Sequence, residues 1–194
     1  TPPSGSGARL RLAAATGRRA VELAVHGGPT PRQIFGPDAL HNALTALCAL
    51  AGSTNALVHL AAFARRAGIG FSLEQLNAVS AQTPVLVDCK PAGSRYMEDL
   101  DQAGGVPALL VALRPLLRLG APTISGASLG ELLADHPGPG AWQDVIHTLD
   151  NPLQPPGALR ALRGSLAPRG AVLKAGAASS ALFQHRGPAL VFEG

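Results

Sequence analysis

At 194 residues, 46% of them hydrophobic, the chain is long enough for one moderate domain, or one and a fraction, around a real core. Aromatics make up only 4%, so that core must be built mostly of Ala, Leu and Val. The net charge of +4 rests almost wholly on arginine, and neither Arg18–Arg19 nor Arg65–Arg66 has the stacking aromatics of a nucleic-acid surface, so no nucleic-acid partner is expected.

In chain order, "TPPSGSG" (1–7) reads as an incoming loop. It lacks the apolar stretch of a signal peptide, and a first residue other than Met suggests a fragment or a processed product. Apolar residues at helical spacing predict a helix over 8–25, weakened at Gly17 and stopped by "HGGPTP". Gly36-Pro37 opens a second helix, with Asp38 in its first turn, where a carboxylate suits the helix dipole. A third helix follows almost without a gap, from about Thr54 to Arg66. A short fourth is capped by Ser72, with Gln75 completing a capping box. "PVLVD" (84–88) is the best candidate for a buried strand.

Next come a polar loop, a short helix opened by Glu98 and Asp99, and a Gly-Gly-Val-Pro turn. The helix after it has Pro107 in its first turn and is kinked or ended by Pro115. "APTISG" (121–126) reads as extended and "ASLGELLAD" (127–135) as helical. From "NPLQPP" onward the pattern is short strands and turns, with "AVLK" (171–174) and "PALVFEG" (188–194) strand-like. The fold class expected is therefore α/β, the helix-rich part of such a domain over 1–155, followed over 156–194 by the opening strands of a second, β domain. No window is apolar enough to span a membrane, so a soluble, cytoplasmic protein without a membrane partner is expected.

Two segments could carry chemistry. In "AGSTN" (51–55), small and polar residues interrupt an apolar run. A helix starting there leaves its first N–H groups unpaired, Gly52 admits a close approach, and Ser53, Thr54 and Asn55 add donors. That combination suits a carboxylate or phosphate. It equally suits a helix–helix junction in which Ser53 or Thr54 merely caps the new helix. His59 lies four residues beyond Asn55 and could share its face, although a lone His in "LVHLAAF" also suits a hydrogen-bonded core position.

The second segment is "DCKPAGSRYMEDL" (88–100). A strand ending at Asp88 and leading into a polar loop is where α/β sheets place ligand groups, here Asp88, Lys90, Glu98 and Asp99. A solvated loop running into a helix explains the same residues. Cys89 in this loop is a candidate reactive thiol, whereas Cys48 in "LTALCALAG" reads as a small core hydrophobe. Two distant cysteines cannot by themselves form a four-ligand metal or cluster site. "SGSG" lacks the Lys-Ser/Thr of a phosphate loop, and "GASLG" is no nucleophile elbow. No residue of this chain is assigned a catalytic or metal-ligating role.

The order of segments says more than any one of them. "GSTNALVHLAAFARRAGI", "PVLVDCKPAGSRYMEDLDQAGGVPALL", "TISGASLGELL", "VIHTLDNPL", "LRGSLAPRGAVLKAGAASS" and "HRGPALVFEG" follow one another along essentially the whole chain. In this succession the sequence resembles the dihydroxy-acid dehydratase / 6-phosphogluconate dehydratase family, and its ending is most similar to the sugar-acid dehydratase branch. The resemblance implies a hydro-lyase that removes water from a 2,3-dihydroxy acid or sugar acid to give a 2-keto acid. It implies an iron–sulfur cluster as Lewis acid, a magnesium ion, and a dimer or tetramer in the complete enzyme. It also implies an α/β domain followed by a β-barrel domain, with the active site between them.

Within that frame Ser53, Thr54, Asn55 and Lys90 become candidate substrate-binding residues. The family's cluster cysteines and magnesium motif belong to segments before the matched region, and its serine base to a segment after it. The chain alone is therefore expected to bind no cofactor and to be inactive. Five positions in three motifs depart from the family pattern. Ala51 stands where Gly is usual, Cys89 and Ala92 replace Leu and Ser in Asp-Leu-Lys-Pro-Ser-Gly, and Gly126-Ala127-Ser128 replaces Gly-Lys-Thr. A divergent, non-catalytic scaffold or subunit derived from the family is the alternative.

Overall fold

The computed structural model describes residues 2–192. Eight α-helices precede one β-hairpin. The helices are α1 (Gly7–His26), α2 (Pro31–Ile34), α3 (Pro37–Ala49), α4 (Asn55–Ala67), α5 (Leu73–Ser80), α6 (Met97–Gln102), α7 (Gly105–Ala112) and α8 (Leu129–Ala134). The hairpin strands are β1 (Leu159–Gly164) and β2 (Ala167–Lys174).

Helix α3 is the centre of the molecule. Pro37 occupies its first turn, where the missing N–H costs nothing. Leu40, Leu44, Leu47 and Cys48 recur at helical spacing and are buried against Leu57 and Ala64 of α4, Leu76 of α5 and Leu159 of β1. Its last residue, Ala49, faces a second cluster with Leu86, Val87, Leu100, Leu109, Leu113 and Ile146. Asn42 is buried, and its side-chain amide satisfies both backbone groups of Arg118, accepting from N at 2.7 Å and donating to O at 3.0 Å.

The "PVLVD" segment is as buried as expected, with Val85, Leu86 and Val87 at 0% exposure. It does not form a continuous strand. It makes isolated bridges from Val85 to Gln154 and from Val87 to Ile146. The reason is its partners. Leu86 and Val87 donate their N–H groups to the carbonyl of Ala49 at the end of α3, and the remaining bonds go to the irregular chain around 145–154.

The hairpin is antiparallel, pairing Leu159 with Lys174 and Arg160 with Leu173, with an irregularity between Leu162 and Gly164. Its base is joined to α5. Asn77 donates its amide to Ala161 O at 3.0 Å and accepts from Ala161 N at 2.8 Å, and Ser80 Oγ donates to Leu159 O at 2.5 Å. The far end exposes Leu162 and Leu166. Among the described residues this is the one sheet. Pro188 to Phe192, expected to be strand-like, has no regular structure, and the rest of that stretch, 193–194, lies outside the described residues.

Several local expectations are met for the reasons given. Ser72 and Gln75 form both halves of the capping box expected on α5. Glu131 answers Ser128 in the same way on α8, a box that was not among those expectations. Pro115 lies in a 3-10 turn, Arg114–Leu116, just after α7 ends. The one-turn helix α2 was hidden in the stop signal before α3. It is held by Thr30 N donating to Gln33 Oε1 at 2.8 Å and by Pro31 in its first turn.

Candidate functional site

The junction between α3 and α4 is built by the "AGSTN" residues. Ala51 closes α3 at φ 41°, a left-handed conformation that Gly adopts freely and an L-residue does not. Gly52 N donates to Leu47 O at 2.9 Å, and a Cβ at Gly52 would fall 2.4 Å from Leu47 Cδ1. Ala51 is 2% exposed, so its methyl is buried. Burying one such group stabilises by about 0.8 kcal/mol. That is close to the roughly 1 kcal/mol that a left-handed residue costs, so the two effects nearly cancel.

The first N–H groups of α4 are not left open. Asn55 N donates to Ser53 Oγ at 3.2 Å, Ala56 N to Ser53 O at 3.0 Å and Leu57 N to Thr54 O at 3.1 Å. Ser53 is thus a capping side chain. Thr54 precedes the helix, but its hydroxyl makes no capping bond. Neither the Thr54 hydroxyl nor the Asn55 side-chain amide has a hydrogen-bond partner among the described residues, so these two remain available. Asn55 and His59 are both exposed on α4, which overturns the core reading of His59.

The second segment is a tight loop. Asp88 accepts from Ser94 N at 2.5 Å and Ser94 Oγ at 2.9 Å. The Ser94 N–H is the main cause holding the Asp88 carboxyl below its ordinary pKa, with burial opposing it. Gly93 must be glycine here, since a Cβ would lie 2.0 Å from Asp88 Oδ1. Lys90 N donates to Arg95 O at 2.9 Å, the Lys90–Pro91 bond is cis, and Arg95 pairs with Asp144 at 2.5 Å. The exposed Lys90 ammonium donates to Tyr96 OH at 2.6 Å and lies 3.9 Å from the ring centroid. Asp99 accepts from Tyr96 N at 2.7 Å, and with Glu98 it opens α6 as expected.

Neither cysteine is poised to react. Cys89 is 5% exposed, and burial, together with Asp88 and Asp99, raises its pKa. Cys48 is fully buried, and burial raises its pKa to about 11. The suggestion of a reactive thiol at Cys89 is therefore corrected: its sulfhydryl donates to Tyr96 O at 3.4 Å and is shielded with the loop.

The two segments meet. Ala51 and Ala92 belong to one apolar cluster with Val85, Leu153 and Ala158. Over that cluster the Gln154 amide donates to Ala92 O at 3.1 Å and to Gly176 O at 3.3 Å, and a Cβ at Gly176 would lie 3.4 Å from that of Ala51. A single corner thus joins the α3–α4 junction, the Lys90 loop and the end of β2. Lys174, half-buried two residues before Gly176, has its pKa lowered by burial. The chain's two lysines therefore lie on segments that flank Gln154. Sequence reasoning missed Gln154 and Lys174, because no local motif marks a side-chain amide that bonds two distant segments.

Among the described residues no three or more His, Cys, Asp or Glu side chains gather as a metal site, and no helix is long and apolar enough to cross a membrane. The two cysteines are buried in separate clusters. The donors among the described residues therefore do not fit an iron–sulfur cluster or a magnesium ion.

Residues 1–132 match the family model described as dihydroxy-acid/6-phosphogluconate dehydratase N-terminal, and residues 144–194 match its C-terminal counterpart. The chain belongs to the dihydroxy-acid/6-phosphogluconate dehydratase family. It is 42% identical over 193 residues to a dihydroxy-acid dehydratase of Dehalococcoides mccartyi, covering 100% of this chain and 34% of the relative. It is 45% identical over 197 residues to one from Pyrobaculum calidifontis, with the same two coverages. A third, from Caldicellulosiruptor bescii, is 43% identical over 195 residues, covering 100% of this chain and 35% of the relative. The chain thus spans about a third of the length of the curated relatives it matches.

Proposed function

We propose that this chain is part of a hydro-lyase that dehydrates a 2,3-dihydroxy acid or sugar acid to a 2-keto acid. In this reading it contributes substrate binding and no catalytic group. The observation that carries the reading is the apolar cluster in which Ala51, three residues before Thr54, packs with Ala92, two residues after Lys90, while the Gln154 amide holds Ala92 O. Lys90 supplies the positive charge for the substrate carboxylate, and Thr54 and Asn55 supply hydrogen bonds to hydroxyls. The ammonium has three N–H donors and spends one on Tyr96 OH, which leaves two for a carboxylate.

The helical part belongs in this reading to an α/β domain, and the hairpin is the opening of a β-barrel domain. The family's iron–sulfur cluster and magnesium find no ligand set among the described residues, so no chemical step is assigned here. The complete enzyme is a soluble oligomer acting on a small-molecule acid, and the 194-residue chain alone turns over none. A second reading, a divergent scaffold without chemistry, draws on Ser53 serving as a cap and Lys90 being held by Tyr96.

Titration calorimetry of the chain with D-gluconate and with neutral sorbitol separates the two. Saturable gluconate binding, absent for sorbitol and weakened about tenfold or more by Lys90→Met, supports the dehydratase reading. Equal binding of both, or none, supports the scaffold. Keto-acid formation by the chain alone would contradict the assignment of no catalytic group.

A further inference from the structure

A concave site lies toward the other end of α4, whose last residues are roughly 16 Å along the helix from Asn55. Here α2 folds back against α4 and leaves a cleft of about 780 Å³. Its walls are apolar: Ile34 and Phe35 from the α2 side, Leu60 and Phe63 from α4. The rings of Phe35 and Phe63 meet at 5.9 Å and 60°, a tilted pair, and yet Phe63 stays 59% exposed. The volume lies in the range of small-molecule sites.

The charge in the lining is of one sign. Arg32 and Arg66 are its only charged residues, and neither makes an ion pair or hydrogen bond among the described residues. No Asp or Glu lines the cleft. Arg19, Arg95 and Arg163 pair with Glu22, Asp144 and Glu74, whereas the exposed Arg9, Arg11, Arg18 and Arg65 show no ion pair among the described residues either, so what sets Arg32 and Arg66 apart is their place in the lining of an apolar cleft.

We propose that this cleft binds an amphipathic monocarboxylate, an apolar chain of several carbons ending in one carboxylate. The apolar body fills the walls of Ile34, Phe35, Leu60 and Phe63. The carboxylate is taken by Arg32 and Arg66, whose planar guanidinium groups suit it. A neutral apolar solute would fill the walls but leave both guanidinium groups unmatched. A hydroxylated acid would lose the benefit of the walls. The site is therefore distinct in chemistry, as well as in place, from the corner at Thr54, Asn55 and Lys90.

The test is an amide NMR titration of the 194-residue chain with sodium octanoate and with 1-octanol. It is repeated on Arg32→Gln, Arg66→Gln and the double variant. Both side chains are exposed and unbonded, so these variants fold as the parent does. The expected result is saturable octanoate binding, with shifts confined to Ile34–Phe35 and Leu60–Ala67. Affinity falls about tenfold with each arginine removed, and octanol binds correspondingly more weakly. Equal binding of octanol, unchanged binding in the double variant, or no saturable shifts at these residues would overturn the proposal. So would concentration-dependent dimerisation that Phe63→Asp abolishes, since the face would then be an interface between copies of the chain. Gluconate shifts at Thr54–Asn55 are read separately, so failure of one site leaves the other standing.

Discussion

Helices α1 and α3 look similar in the sequence: both carry apolar residues at helical spacing and both are rich in Ala and Leu. In the structure they differ completely. α3 has 13 residues and buries Leu40, Asn42, Leu44, Thr45, Leu47, Cys48 and Ala49, whereas α1 has 20 residues and buries none. α1 is held by its own Ser6 cap, by the Arg19–Glu22 pair, and by Arg19 donating to Ile124 O at 3.3 Å. Leu10, Val21 and Val25 stay more than half exposed. Periodicity specifies which face a helix can bury. Whether that face is buried depends on a partner, and the partner is set by tertiary structure.

The sharpest way to break this comparison is to cut the same kind of side chain from each helix. Leu44→Ala should cost about 2–5 kcal/mol in urea unfolding, because it opens a cavity at a residue 2% exposed. Val21→Ala should stay within about 0.5 kcal/mol. Comparable losses at both would mean that α1 is packed in solution.

The anchored region extends into the Lys90 loop, and Gly93→Ala probes that. The new methyl would overlap Asp88 and displace the Ser94 bonds, at a cost of about 1–3 kcal/mol. Loss of protection at the Ser94 amide in hydrogen exchange would show it directly. A neutral effect would mean that the loop is not held as described.

A smaller effect is expected from acid. The Asp88 pKa is lowered in the folded state, so its contribution is present above the unfolded carboxyl value near 3.9 and is lost as pH falls through the folded value. Stability curves of the parent and Asp88→Asn should therefore lie apart at neutral pH and converge below about pH 4. Parallel curves would remove the charge from the account of this loop.

The smallest effect is expected at Ala51→Gly. Relief of the left-handed strain and loss of the buried methyl oppose each other at roughly 1 kcal/mol each, so thermal unfolding should move little. A clear stabilisation would show that strain outweighs packing at this junction.

Much of the helical part was legible because its signals are local. Ser72 with Gln75 and Pro37 at the head of α3 each act within one turn. "PVLVD" announced its burial by composition but could not announce its pairing, because its partners are the carbonyl of Ala49 and irregular chain some sixty residues away. "PALVFEG" looked strand-like on residue type alone, and no pairing partner forms for its described part.

The site was half legible. Ser53, Thr54, Asn55 and Lys90 stood out by type and position, and the family resemblance tied them to a substrate. Which of them stay available was not legible. Ser53 is taken up by Asn55 N, and Lys90 holds Tyr96 OH. The amide of Gln154, which joins the Lys90 loop to the turn after β2, left no trace in spacing because its partners lie 62 and 22 positions away.

The central claim is that the α3–α4 junction and the Lys90 loop form one carboxylate-binding corner. It is tested most directly by amide NMR shifts of the chain titrated with D-gluconate. The account predicts that Thr54–Asn55 and Lys90–Tyr96 shift together on one saturation curve, and that sorbitol moves neither. Shifts at one segment alone, separate curves for the two, or an equal response to sorbitol would contradict it.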